Sequence, residues 1–308
     1  MSFKVAIINV SLAVAFIIPG FIISKLKRAK VEHLSTLSAV LVYICSPCMI
    51  INSFLSIEFS WQQFGMMALF FGVTLVLQAV FMLVLFLILR KRYEDGKYRM
   101  ITIGSVLGNV GFFGLPIVKA LLPENPEVMC YSSVFVISMN LIVFTVGVFC
   151  LTGDKKTITL KSALLNPATF GIAVALPLYF FGAREVLPSA VLSSINITGS
   201  VTTPLCMIIL GIRLANVSLK KLFTRPVVYI ICACKLIIFP LFCYLAVYFL
   251  PIDYSFKASI LILSATPCAS IIFNIAEMHN SQEELSANCV LLSTILCCLT
   301  IPVLSLLL

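Results

Sequence analysis

Apolar stretches of roughly 20 residues, long enough to cross a hydrocarbon layer about 30 Å thick, recur along this 308-residue chain with short polar gaps between them. They predict about ten helical spans: Phe3–Ser24, Leu34–Leu55, Gln62–Leu89, Met100–Leu122, Val128–Leu151, Pro167–Gly182, Pro188–Leu214, Pro226–Leu250, Lys257–Met278 and Leu285–Leu308. The first has the apolar run of a signal peptide, but its basic residues mostly follow it and no small-residue cleavage site is evident, so it reads as a retained helix. Spans four and nine are interrupted near their middles, at Gly108-Asn-Val-Gly-Phe-Phe-Gly-Leu-Pro116 and Ser264-Ala-Thr-Pro-Cys-Ala-Ser270. In hydrocarbon every backbone N–H and C=O needs a partner, so Gly and Pro at mid-depth are tolerated only where the freed groups face protein, water or a ligand. A matched pair of interrupted helices in corresponding halves of a chain points to the substrate site of a secondary transporter.

Composition agrees with an all-α integral membrane protein. Hydrophobic residues make up 61% and charged residues 11%, with a mean hydropathy of +1.14. Charge then sets an expected orientation, because cytoplasmic loops are enriched in Lys and Arg. Sixteen of the 21 Lys and Arg residues fall in alternate gaps, around Lys25 to Lys30, Arg90 to Arg99, Lys155 to Lys161 and Arg213 to Arg225. That predicts a cell (inner) membrane protein with both termini outside. The formal net charge of +9 is then a signal of topology and of attraction to anionic membrane lipid. A nucleic-acid partner is excluded, since no soluble basic face exists.

Ten spans with both ends on one side make the second group of five start from the opposite side, so the halves are expected to be inverted. Pro47-Cys-Met-Ile-Ile51 in span two echoes Pro204-Leu-Cys-Met-Ile-Ile209 in span seven, about 157 positions later. Pro19 and Pro177 share nearly that offset, and Gln78 falls opposite Lys235. The expected organisation is a first repeat over 1–153, a cytoplasmic linker over 154–165 and a second repeat over 166–308.

Candidate chemistry gathers at the interruptions. Proline is favoured at the first position of a helix, so Pro116 and Pro267 are each expected to open a second half-helix. Half-helix N-termini carry partial positive charge and free N–H donors, and two of them meeting at mid-membrane favour a carboxylate over a cation. The competing reading of Gly108, Gly111 and Gly114 is a small-residue seam for helix packing. Asn109 and Asn274 flank the breaks and offer amide donors and acceptors without the desolvation cost of an ion; the alternative for each is a structural hydrogen bond to unwound backbone. Ser270, Thr266 and Asn140 are weaker candidates. Lys235, the charged residue well inside a span, reads either as an offset to substrate charge or as a lysine pairing with carbonyls at a broken helix, with Gln78 as its counterpart in the other half. Buried carboxylates of the kind that carry proton relays are missing from the span interiors.

Other chemistries lack their groups. The 12 cysteines are scattered through the spans, which argues against a disulfide framework. Cys45-Ser-Pro-Cys48 has no second pair or histidine near it, and with only His33 and His279 a zinc site has too few ligands. No metal and no cofactor is expected. A serine protease needs a base at catalytic depth, and Leu151-Thr-Gly-Asp154 has no second aspartate in a neighbouring helix, so an enzyme is not expected. The alternative to a carrier is an anion channel or a receptor-like polytopic protein, the former more naturally showing rings of charge or a repeated filter.

The string from Gly108 to Pro116, the run Asn140-Leu-Ile-Val-Phe-Thr-Val-Gly147 and the closing Leu291-Leu-Ser-Thr-Ile-Leu-Cys-Cys-Leu-Thr-Ile-Pro302 resemble the auxin efflux carrier family over nearly the whole chain. The long cytoplasmic loop that many PIN proteins carry between spans five and six is lacking, so the chain resembles a short bacterial PIN-like member. The resemblance implies ten transmembrane helices in two inverted five-helix repeats with broken crossover helices four and nine. It also implies an elevator-type motion of spans three to five and eight to ten against a scaffold of spans one, two, six and seven, with a homodimer formed through the scaffold. The implied substrates are small organic anions, auxin or dicarboxylates such as malate or malonate. Taken with the residues, it assigns substrate binding to Asn109, Gly111, Gly114, Pro116, Pro267, Ser270 and Asn274, and polar support to Lys235, Gln78 and Asn140.

Overall fold

The computed structural model describes residues 3–153, 166–217, 223–279 and 281–308. The linker expected over 154–165 lies outside the described residues. Seven helices among them are long and apolar enough to cross a membrane: α1 (Phe3–Lys25), α2 (Val31–Leu55), α3 (Trp61–Arg92), α6 (Val128–Thr152), α8 (Ser189–Asn216), α9 (Pro226–Tyr248) and α12 (Glu283–Leu307). Between them lie the shorter α4 (Gly96–Gly104), α5 (Val110–Leu121), α7 (Pro167–Phe180), α10 (Tyr254–Ser264) and α11 (Ser270–Met278). The expected spans four and nine are thus each divided, into α4 with α5 and α10 with α11.

Local chemistry starts these helices where the sequence supplies a cap. Ser60 Oγ accepts the Gln63 N–H at 3.1 Å ahead of α3, and Asn166 Oδ1 accepts the Thr169 N–H at 3.0 Å ahead of α7. Asp95 accepts the Lys97 N–H at 3.0 Å ahead of α4, and this backbone bond, together with the Lys97 ammonium, holds the exposed Asp95 carboxyl below its ordinary range.

Four helices contain a widened π-turn, at Leu41–Cys45, Val110–Gly114, Val143–Gly147 and Cys234–Ile238. Three of these immediately precede a proline, Pro47, Pro116 and Pro240, at the start of the next α-helical stretch. A proline inside a helix lacks the N–H for its i−4 bond and its ring clashes with that carbonyl; a wider turn relieves the clash and keeps the helix continuous. Pro116 therefore does not open the half-helix, which begins earlier, at Val110.

Helices α1, α2, α7 and α8 pack through glycines that let backbones touch. A side chain at Gly20 would collide with the Ile208 carbonyl, one at Gly211 with that of Ile17, one at Gly171 would lie 3.0 Å from the Pro47 Cα, and one at Gly199 2.9 Å from the Met49 Cα. Small residues at such seams are what membrane helix association selects, because apolar burial alone gives no advantage over lipid. Elsewhere α3, α6 and α10 share a buried aromatic cluster, with the Phe70 and Tyr131 rings stacked at 4.6 Å and Phe256 edge-on to Phe70 at 4.8 Å.

Candidate functional site

The two divided segments meet at their gaps. Asn109 N–H donates to the Pro267 carbonyl at 2.7 Å and Ala269 N–H to the Leu107 carbonyl at 3.0 Å, a short antiparallel bridge centred on Gly108 and Cys268. Each break thereby satisfies backbone groups of the other, which is what allows irregular chain at this depth. The bridge needs a glycine: a Cβ at Gly108 would lie 2.5 Å from Thr266 Oγ1 and 2.9 Å from Lys235 Nζ.

Further bonds finish the backbone accounting. Asn109 adopts φ −76°, ψ 57°, an inverse γ-turn, with the Val110 N–H bonded to the Gly108 carbonyl at 2.8 Å. Ser293 Oγ accepts the Cys268 N–H at 2.9 Å, and Lys235 Nζ donates to the Ser264 carbonyl at 2.5 Å. Lys235 is fully buried, and its ammonium also lies 4.9 Å from the centre of the Phe239 ring. Of the two readings of this residue, the bond to a carbonyl at the broken helix is the one the geometry displays.

Both half-helices, α5 and α11, begin beside this bridge, at Val110 and Ser270. The first N–H groups of a helix lack intrahelical partners and carry its positive dipole end. A cavity of about 360 Å³ opens there, lined among others by Asn109, Gly111, Asn140, Asn166, Ser270 and Asn274, and none of its lining residues is acidic or basic. The Asn109 amide Nδ2 lies 3.8 Å from Cys206 Sγ, and Asn140 Nδ2 donates to Asn166 Oδ1 at 3.4 Å. The Ser270 hydroxyl is buried with no hydrogen-bond partner among the described residues.

Of the residues proposed from sequence, Asn109, Gly111, Ser270, Asn274 and Asn140 line this cavity, and Gly114, Pro116, Pro267, Lys235 and Gln78 do not. Gly114 allows close packing, since a Cβ there would lie 2.9 Å from Thr266 Cγ2 and 3.0 Å from Leu263 Cδ2. Pro267 contributes its carbonyl to the bridge and, against expectation, does not open α11, which begins three residues later at Ser270; Pro116 follows the π-turn of α5. Gln78 Nε2 donates to the Thr74 carbonyl and to Ser138 Oγ, both at 3.0 Å, tying α3 to α6.

Two contributors escaped the sequence reading. Asn166 precedes Pro167, an N-cap signal in itself, but it fell one residue outside the expected span. Arg213, a basic residue of an expected cytoplasmic gap, turns inward: Nη2 donates to Asn274 Oδ1 at 3.1 Å and the guanidinium lies 4.0 Å from the centre of the Phe273 ring. It lines a second cavity of about 670 Å³ that shares Ser270, Asn274 and Met278 with the first. Among the described residues no group of three or more His, Cys, Asp or Glu is placed to hold a metal ion.

A multi-pass helical protein whose two divided segments pair beside a cavity is consistent with an integral membrane transporter. The sequence profile described as membrane transport protein matches residues 5–162 and 155–305, and the chain belongs to that family, the auxin efflux carrier-like transporters. It is also similar to an uncharacterized transporter of Methanocaldococcus jannaschii, with 30% identity over 198 residues that cover 62% of this chain and 63% of that protein.

Proposed function

We propose that the chain carries small organic anions across the cell membrane, binding them in the 360 Å³ cavity at the crossover of the divided segments. The observation that carries this reading is the pair of half-helix N-termini, at Val110 and Ser270, opening side by side into a largely apolar cavity that holds four asparagine amides and is free of carboxylates. Positive dipole ends and N–H donors favour an anion there, and the asparagine amides supply orientation without a competing charge. The volume lies at the small end of ordinary ligand pockets, about 300–1,000 Å³, which suits a short carboxylic acid.

In this reading the chain crosses the membrane ten times, as inverted repeats over 1–153 and 166–308 joined by 154–165, with both termini outside. The glycine-sealed helices α1, α2, α7 and α8 form a scaffold that also makes a homodimer, and the remaining helices ride past it as an elevator carrying the bridge intact. The close backbone contacts within the scaffold support its role as the fixed part.

Uptake into proteoliposomes of labelled malate, malonate and indole-3-acetate tests the proposal. Saturable flux of one of these acids that is abolished in Asn109→Ala, with the variant still monodisperse in detergent, is expected. Flux that does not saturate, accompanied by single-channel currents, would overturn the carrier in favour of a pore.

A further inference from the structure

The second cavity contains a cation with an unfinished hydrogen-bond set. Arg213 reaches from α8 toward α11, where Phe273 stacks against its guanidinium at 4.0 Å and Asn274 Oδ1 takes the Nη2 proton at 3.1 Å. The adjacent donor, Nε, is buried and has no partner among the described residues. In the planar guanidinium Nε and Nη2 form one edge, matched in spacing to the two oxygens of a carboxylate. Here one donor of that edge meets a neutral amide and the other meets no partner among the described residues, an arrangement that leaves a buried charged donor unsatisfied at a cost that a two-pronged anion would remove.

Among the described residues, no carboxylate of the protein fills that role. Glu32 and Glu277 line the same cavity, but both side chains belong to exposed residues, and neither makes an ion pair with Arg213 within 4.0 Å. They stand at the solvated rim, while the arginine edge lies inside.

Helix α11 joins this cavity to the other. Phe273 and Glu277 line only the larger cavity, Ile271 and Ile275 only the smaller, and Ser270 and Asn274 line both. We propose that the larger cavity is a second carboxylate-binding site, with the Nε–Nη2 edge of Arg213 as its recognition group and Asn274 as the placeholder on that edge. This rests on the reading of the chain as an organic-anion carrier. An acid bound to the arginine edge releases Asn274 Oδ1, whose amide is then free to turn toward the paired-break cavity that it also lines. The larger site thus prepares the smaller one, and it selects for a planar carboxylate over a neutral isostere.

Thermal unfolding of the purified full chain, read with a thiol-reactive dye that reports the buried free cysteines as they become exposed, tests this directly. The probes are acetate, malonate, succinate and indole-3-acetate, each beside its neutral amide, with sulfate as an inorganic control. At least one acid is expected to raise the midpoint of the wild type saturably while its amide does not. Arg213→Gln should weaken the apparent Kd for that acid at least tenfold, and Arg213→Lys, which keeps the charge but not the edge, should fall between.

Wild-type affinity in Arg213→Gln alongside lost affinity in Asn109→Ala would overturn this inference and leave the paired-break site standing. No response of the wild type to any acid would remove both readings together. An equal response to sulfate would mark an adventitious anion and end the carboxylate assignment. If Arg213→Gln is aggregated without ligand, Arg213→Lys decides, and an affinity equal to wild type in that variant counts against the edge geometry.

Discussion

The two breaks perform the same task with different residues. At the first, between α4 and α5, the N–H groups find backbone acceptors, through a γ-turn at Asn109 and an Asn109 carbonyl that accepts both Phe113 N–H at 3.2 Å and Gly114 N–H at 3.0 Å, while side chains from other helices, Ser132 and Thr203, donate only to its Val110 and Phe112 carbonyls. The second, between α10 and α11, is held by side chains from elsewhere, Lys235 on the Ser264 carbonyl and Ser293 on the Cys268 N–H. A break made of Gly and Asn can turn on itself, because glycine leaves room and a short turn recovers its own hydrogen bonds. A break with a proline cannot donate at that position, and its neighbours must borrow partners from other helices.

Substituting the glycine should separate the two designs most sharply. Gly108→Ala places a methyl against Thr266 Oγ1 of the second break and Lys235 Nζ of α9, and overpacking of this kind costs about 1–3 kcal/mol. A clearly lowered unfolding midpoint is expected, partly recovered when Thr266→Ala is added; an unchanged midpoint would mean the breaks are not in contact.

Next in size is Ser293→Ala, which leaves the Cys268 N–H without its side-chain acceptor. A buried donor left unpaired costs about 1–3 kcal/mol, so the midpoint should fall here more than in Ser132→Ala. Ser132 Oγ donates to the Val110 carbonyl at 3.1 Å, and a carbonyl tolerates the loss of one of two bonds better than an N–H tolerates the loss of its only one. A larger effect from Ser132→Ala would reverse the view that the first break depends on its own backbone acceptors more than on borrowed side chains.

The smallest effect is a control away from both breaks. Nothing lies within 4 Å of a Cβ built on Gly72 in α3, so Gly72→Ala should raise the midpoint slightly, by up to about 1 kcal/mol of helix stability. A fall comparable to that of Gly108→Ala would show that the assay responds to any added methyl.

Much of the architecture could be read from the chain. The apolar segments appear where the run lengths put them, and both interruptions are true gaps, because glycine and proline act locally whatever surrounds them. Asn109, Ser270, Asn274 and Asn140 stand out as polar groups in apolar spans and Gly111 as part of an interruption, and they share one cavity. Sequence reasoning erred at Pro116, where a one-residue rule predicts a helix start; the chain instead widens the preceding turn, a choice available only once the helix on both sides is stabilised by packing. Gln78 was matched to Lys235 by offset, but the one ties α3 to α6 and the other serves a break. Arg213 looked like a loop cation because charge at a helix end is ordinarily solvated, and only the approach of α11 gives it an aromatic face and an amide to turn toward.

What the sequence determined by itself is the class of molecule and the places where helices must stop: hydrophobic run length and the backbone restrictions of Gly and Pro are properties of short stretches. What only the tertiary structure decided is which gaps pair, which polar side chains face one another, and which carbonyl each buried donor finds. Those outcomes depend on contacts between residues far apart in the chain, such as Asn109 with Pro267 and Lys235 with Ser264. Their hydrogen bonds form only where packing brings the partners within about 3 Å, and no local pattern encodes that distance.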